Sequence, residues 1–157
     1  MKELKLTTGE VTFVDDEDYE DAISSGPWLC SDGKAIRFIE RDVNGKSVVE
    51  YLHRRILPPI PGYEVDHKDG NGLNNTRKNL RYLTHSQNIH NRDKQKNNTT
   101  GYIGVRYSIS AQGYQSSTQI DGKRTYHGTF KTAIEAAVAR DEFVKKHLPG
   151  IAKLNFP

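Results

Sequence analysis

An acid and a histidine stand side by side at Asp66-His67, and the polar stretch that follows, as far as Arg92, carries Asn74, Asn75, Asn79 and Asn88 among its asparagines. Two chemistries use such a run. Asparagine and glycine tolerate tight backbone geometry, so the segment can simply be turn-forming. The same residue types also supply oxygen donors for a hard divalent cation such as magnesium, which takes one or two ligands from protein and the rest from phosphate and water. An imidazole with its ordinary pKa near ~6.5 can take a proton from water at physiological pH. Carboxylate, amide oxygen and imidazole together could carry metal-assisted hydrolysis.

These side chains need elements to hold them. The apolar approach "YEV" puts Asp66 and His67 at the end of a strand, "KDGNGLNNTRKN" makes a loop, and "LRYLT" is a second strand. "HSQNIHNR" can start a helix, with Thr84 as N-cap and Gln87 as its capping-box partner. This ββα unit puts Asn88 in the first helical turn, where it is expected to face Asp66 and His67 across the hairpin. An EF-hand loop is excluded, because Lys68 stands at the third position, where that loop needs an oxygen ligand.

Asp66, His67, Asn79 and Asn88, in this order and spacing, resemble the ββα-metal motif of the HNH nucleases, in the H-N-N variant common among phage homing endonucleases. The flanks "HRRIL" at His53–Leu57 and "NIHNR" at Asn88–Arg92 are similar to that family's as well, so the resemblance covers about residues 50–92. It implies that Asp66 and Asn88 hold one Mg²⁺ or Mn²⁺ ion and that His67 is the general base. It implies further that Asn79 holds the loop so that the imidazole is aimed, and that His53 and Arg92 support the site or contact phosphate. His53 is expected on a strand passing under the site, where a structural role is the alternative.

Before this motif, "EVTFVD", "AIRFIERD" and "SVVEYLHRRIL" read as strands, the last two joined at Asn44-Gly45, a strong hairpin signal. "DDEDYEDAISSGPW" reads as a short acidic helical turn, and "PPIPGY" breaks the pattern ahead of Asp66. After it, "NRDKQKNNTT" has linker composition. Three strand-like pieces follow, "GYIGVRYS", "YQSSTQI" and "RTYHGTF", the latter two joined at Asp121-Gly122. A helix capped by Thr132 and Glu135 comes last, with Ala133, Ala136, Ala137, Phe143, Val144 and Leu148 as its apolar stripe.

"GYIGVRY", "DGKRTYHGTFKTAIEAAVARDEF" and the closing "AKLNFP" resemble the plant ethylene-response-factor, or APETALA-two, DNA-binding domain. That resemblance implies a sheet lying in the major groove of double-stranded DNA. Arg106 and Tyr126 would contact bases there, and Lys123 and Arg124 phosphates. Ile103 and strand "YQSSTQI" depart from the plant pattern, so the plant recognition sequence does not transfer.

The expected fold class is therefore α+β. A small N-terminal strand-rich module leads into the ββα-metal motif within residues 1–92, residues 93–100 form a linker, and residues 101–157 form a three-stranded antiparallel sheet packed on one helix. Composition agrees with small cores, for only 34% of the 157 residues are hydrophobic and the mean hydropathy is −0.77, which does not favour a large enclosed cavity. Charge is uneven. Residues 1–60 carry 8 Lys and Arg against 12 Asp and Glu, residues 61–97 carry 7 against 4, and residues 98–157 carry 8 against 4. The basic excess lies in the C-terminal two-thirds, as a phosphate-facing surface requires.

The single Cys30 excludes an internal disulfide and argues against a structural zinc site of the thiolate-rich kind. With no apolar signal-like segment at the N-terminus and no membrane span, the expectation is a soluble protein in the cytoplasm of a bacterial or phage-infected cell, with no obligate protein partner. The function expected is a DNA endonuclease of the homing type. A non-enzymatic DNA-binding protein with a degenerate nuclease motif is the alternative.

Overall fold

A computed structural model of the chain describes residues 1–91, 94 and 97–157. Among them the chain divides into two compact units, Met1–Leu83 and Thr84–Pro157. The division falls ahead of the helix expected to complete the ββα unit, whereas the sequence puts the linker at 93–100.

The first unit is built from small antiparallel sheets. Strands β1 (Lys2–Lys5) and β2 (Val11–Val14) pair around a turn, and helix α1 (Asp16–Ser25) follows. Three acids in its first turn, Asp16, Glu17 and Asp18, suit the positive end of the helix dipole. Strands β3 (Leu29–Ser31), β4 (Lys34–Arg41) and β5 (Ser47–Tyr51) then form a three-stranded sheet in chain order. The β4–β5 turn holds Asn44 and Gly45, where Gly45 adopts φ +77°, the geometry the hairpin signal asks for. Helix α2 (Leu52–Ile56) leads into a β6–β7 hairpin, β6 (Glu64–His67) and β7 (Leu80–Leu83).

One sheet expectation is corrected here. "SVVEYLHRRIL" is not one strand, because extended pairing stops at Tyr51 and His53 lies on α2. Leu52, His53 and Ile56 are all buried in that helix. Four-residue spacing puts Leu52 and Ile56 on one helical face, and both enter the core with Leu4, Leu6, Val14, Ala22, Trp28, Ala35 and Leu80. A continued strand would have alternated the two residues' neighbours out to solvent.

The second unit begins with α3 (His85–His90), whose capping box is complete: the Thr84 side chain accepts from the Gln87 N–H, and the Gln87 side chain accepts from the Thr84 N–H. Strands β8 (Val105–Ser108), β9 (Gly113–Ile120) and β10 (Lys123–Phe130) form an antiparallel meander, and α4 (Ala133–His147) follows with the expected Thr132/Glu135 box. The first of these strands is shorter than "GYIGVRYS", since pairing begins only at Val105. Val105, Ala136 and Ala137 form the core under Tyr102, Tyr114, Phe130 and Ala133. Small alanines let α4 approach the sheet.

Polar clamping supplements this small core. Arg140 and Asp141, both nearly inaccessible, pair at 2.9 Å. The Asp141 carboxylate also accepts from the backbone N–H groups of Asn155 and Phe156, at 2.6 and 2.9 Å. Asn155 in turn bonds both the N–H and the carbonyl of Ile103. The C-terminal "LNFP" segment is thereby tied to both α4 and the start of β8. Removing one partner of a buried ion pair leaves the other charged and desolvated, at about 3–5 kcal/mol. Asp141→Ala is therefore expected to lower the stability of the second unit by about that much, read as a lower urea midpoint in denaturation followed by circular dichroism.

Candidate active site

Asp66 and His67 are the last residues of β6, and β7 holds them in register as Asp66↔Arg81 and His67↔Leu80. The Arg81 Nε donates to Asp66 Oδ2 at 2.8 Å, an ion pair largely screened from solvent. His67 is buried, and its Nε2 lies 3.1 Å from the Oδ1 of Asn75. Its ring meets His53 edge to face, with centroids 5.1 Å apart. Asp66 and His67 both line a cleft of about 340 Å³, together with Asp32, Gly33, Lys34, Gly70, Asn71 and Gly72.

The asparagines of the intervening loop have a shared acceptor. The Asp69 carboxylate takes the Asn71 N–H at 2.8 Å, the Asn74 Nδ2 at 2.7 Å and the Asn79 Nδ2 at 2.9 Å. Asn79 also accepts the Asp69 N–H through Oδ1, donates to the Asn74 carbonyl, and receives the Lys68 N–H on its own carbonyl. It thus spans the loop from end to end, and its side chain bonds loop groups and not the His67 ring. Burial alone pushes the Asp69 carboxyl up, but the hydrogen bonds from Asn71, Asn74 and Asn79 outweigh it and hold it below the ordinary carboxylate range.

The N-terminal module fixes this loop from outside. Strand β2 runs beside it: the Phe13 N–H donates to the Leu73 carbonyl and the Asn75 N–H to the Phe13 carbonyl, each at 2.8 Å. Arg77 grips Asp18 of α1 with two hydrogen bonds, and its own N–H reaches Asp15. The β3–β4 turn presses on the loop as well. A Cβ added to Gly72 would sit 2.3 Å from the Gly33 carbonyl oxygen, so only glycine fits there, and this contact puts Lys34 at the cleft.

Electrostatics leave both histidines neutral. Burial pushes the His67 imidazole below its usual value and Lys34 adds to that, while the Asn75 hydrogen bond and the Asp66 and Asp69 carboxylates pull part of the way back. His53 is pushed down to about 3, by burial first and then by repulsion from His67, Arg54 and Lys34. Its Nδ1 is buried and has no hydrogen-bond partner among the described residues.

Asp66, His67 and Asn79 thus come together in the first unit. Asn88 stands in the first turn of α3, where its N–H bonds the Thr84 carbonyl, and belongs to the second unit. Arg92 lies outside the described residues. In the second unit, register puts Arg106 opposite Gln115, Tyr126 opposite Ser117 and Arg124 opposite Gln119, so these six side chains share the sheet face away from α4. Arg106 donates twice to Gln115 Oε1, at 2.9 and 3.2 Å. Tyr126 is 55% exposed and hence no core residue. Lys123 pairs with Ile120 beside the turn and is exposed. Sequence reading missed Lys34, which the contact between Gly33 and Gly72 brings to the cleft, and Arg81, which pairs with Asp66 across the hairpin, and it read Asn75 only as a loop former.

Residues 50–90, the stretch from β5 through α3 that contains Asp66, His67, Asn79 and Asn88, match the HNH endonuclease family. The chain is also similar to Protein 3.8 of Escherichia phage T7, with 37% identity over 67 residues that make up 42% of this chain and 55% of that protein. It spans about half the length of that curated relative. No solved structure matches the chain, and no helix among the described residues is long and apolar enough to cross a membrane.

A histidine buried neutral makes the fold sensitive to acid, with a definite sign. Because the folded His53 titrates near 3 and an unfolded histidine near ~6.5, the unfolded state binds the extra proton in between. Stability contributed by the neutral ring is full above ~6.5 and is lost as pH falls toward 3. Melting temperature should therefore drop between pH 7 and 4, and the drop should be shallower in His53→Phe, measured by differential scanning calorimetry.

Proposed function

We propose that the chain is a metal-dependent DNA endonuclease in which His67 is the general base and Asp66 helps to hold a single Mg²⁺ or Mn²⁺ ion. The observation that carries this reading is the neutral His67 beside Asp66 at one cleft, in the stretch that matches the HNH family. The donor set fits a hard ion. Asp66, Asp32 and Asn71 line the cleft and carry oxygen donors, and magnesium takes only one or two ligands from protein, keeping water and phosphate for the rest. When bound, the ion would neutralise charge on the phosphate and the departing 3′ oxygen.

The chain's own groups supply the rest. His67, neutral through burial, takes a proton from water as that water attacks the phosphorus, and products with 5′-phosphate and 3′-hydroxyl ends follow from the family resemblance. Asn79 keeps the loop in shape through Lys68, Asp69 and Asn74. His53 packs against the base as support. Arg81 orients the Asp66 carboxylate, and Lys34 is placed to meet a phosphate.

The C-terminal part of the chain, residues 101–157, acts in this reading as an APETALA-two-type domain on double-stranded DNA. The support is the shared open face of Arg106, Arg124 and Tyr126 with Gln115 and Gln119, since arginine and glutamine are the side chains that grip guanine and adenine edges with paired hydrogen bonds. Lys123 and Arg124 contact phosphate. Tethering raises the local concentration of the nuclease at a bound site, as a phage homing endonuclease in a host cytoplasm would use.

Supercoiled plasmid incubated with the full chain and Mg²⁺ or Mn²⁺ should convert to open-circle or linear DNA, and EDTA should stop it. His67→Ala should cut at least about 10²-fold more slowly, the usual contribution of a general base, with DNA affinity nearly unchanged. Conversion at the wild-type rate by that variant would remove His67 from its role. Arg106→Ala should cost about 1–3 kcal/mol of discrimination at one base pair, read as relaxed preference in a selection of bound sequences, while metal-dependent cutting persists.

A further inference from the structure

A general base must present an unprotonated nitrogen, and an imidazole has two nitrogens that exchange that role. Which one is basic depends on the partner of the other. His67 Nε2 faces Asn75 Oδ1 at 3.1 Å, so the orientation of the Asn75 amide decides the matter.

That orientation is forced by a chain of donors. The Thr12 hydroxyl has one proton, and it goes to the Leu73 carbonyl at 2.7 Å, an oxygen with no proton to return. Toward Asn75, 2.7 Å away, the Thr12 oxygen can only accept, so the NH₂ side of the amide faces it. The second amide proton points to the Gly72 carbonyl at 3.4 Å, again an acceptor alone. The Asn75 oxygen therefore faces His67, and Nε2 must carry the proton. Thr12 and Asn75 are both fully inaccessible to solvent, so water does not compete for these bonds, and an unmatched donor or acceptor there would cost the full desolvation penalty of the group.

We propose that Asn75, locked by Thr12 of strand β2, is a positioning residue that holds His67, which lines the cleft, as its Nε2–H tautomer and leaves Nδ1 as the basic nitrogen. Neither residue touches substrate. The assignment rests on the nuclease reading for its purpose, but not for its observable. It also gives the N-terminal module a chemical task, because the lock begins at a residue 55 positions before the histidine in the chain.

The test uses the full chain labelled with ¹⁵N-histidine, with the His67 signals assigned from His67→Gln. A long-range ¹H–¹⁵N spectrum of the imidazoles, at a pH where the ring is neutral, distinguishes a protonated from a bare nitrogen. Wild type should show Nε2 protonated and Nδ1 bare. A protonated Nδ1, or an average of the two tautomers, would overturn the proposal without any variant being made.

Asn75→Ala should bring the Nδ1–H form into the spectrum and lower kcat for plasmid cutting several-fold, with KM changed by no more than about twofold. In case that variant does not fold, Thr12→Val replaces the hydroxyl with a methyl group of similar size and should move tautomer and kcat in the same direction, while Thr12→Ser restores both. Equal spectra and rates for the valine and serine variants would overturn the Thr12 lock. If wild type shows the Nε2–H tautomer yet cuts no DNA with either metal, the tautomer assignment stands and the nuclease reading is what fails.

Discussion

Everything at the cleft depends on the two backbone bonds that lash strand β2 to the loop between β6 and β7. Phe13 gives its N–H to Leu73 and takes that of Asn75, and this short parallel contact converts a polar, glycine-containing connection into a surface with fixed geometry. A free loop of this composition would lose backbone entropy of about 1–2 kcal/mol per residue on ordering. Here the cost is offset from three sides: by β2, by the Arg77 grip on α1, and by the internal Asp69 hub.

Burial does the electrostatic work that charge alone would not. The cleft holds both signs, with Lys34 near the histidines and Asp66 and Asp69 opposing it. For His67 desolvation decides the balance toward the neutral form. An imidazole so situated is held in the form that can accept a proton. The same burial explains why His53 is suited to packing and unsuited to proton exchange at neutral pH.

Several features could be read from residues alone because they are set by neighbours a few positions away. The capping boxes at Thr84/Gln87 and Thr132/Glu135 are complete, the Asn44-Gly45 hairpin forms where the dipeptide asks for it, and the α4 stripe buries Ala136, Ala137, Val144 and Leu148. The failure at His53 is of the opposite kind. "SVVEYLHRRIL" favours a strand by local composition, and the core that claims Leu52 and Ile56 is assembled from segments far away in sequence.

What the sequence by itself determined is the inventory and spacing of reactive groups: an acid beside a histidine, asparagines at set distances, and a basic C-terminal two-thirds. These are properties of residue type and order. Only the tertiary structure decided which asparagine does what. Asn74, Asn75 and Asn79 are alike as turn formers, yet one is fully enclosed against Thr12 and His67 while the other two feed Asp69. The physical reason is that a hydrogen bond is set by distance and direction, and the partners that fix Asn75 come from a strand some sixty residues earlier.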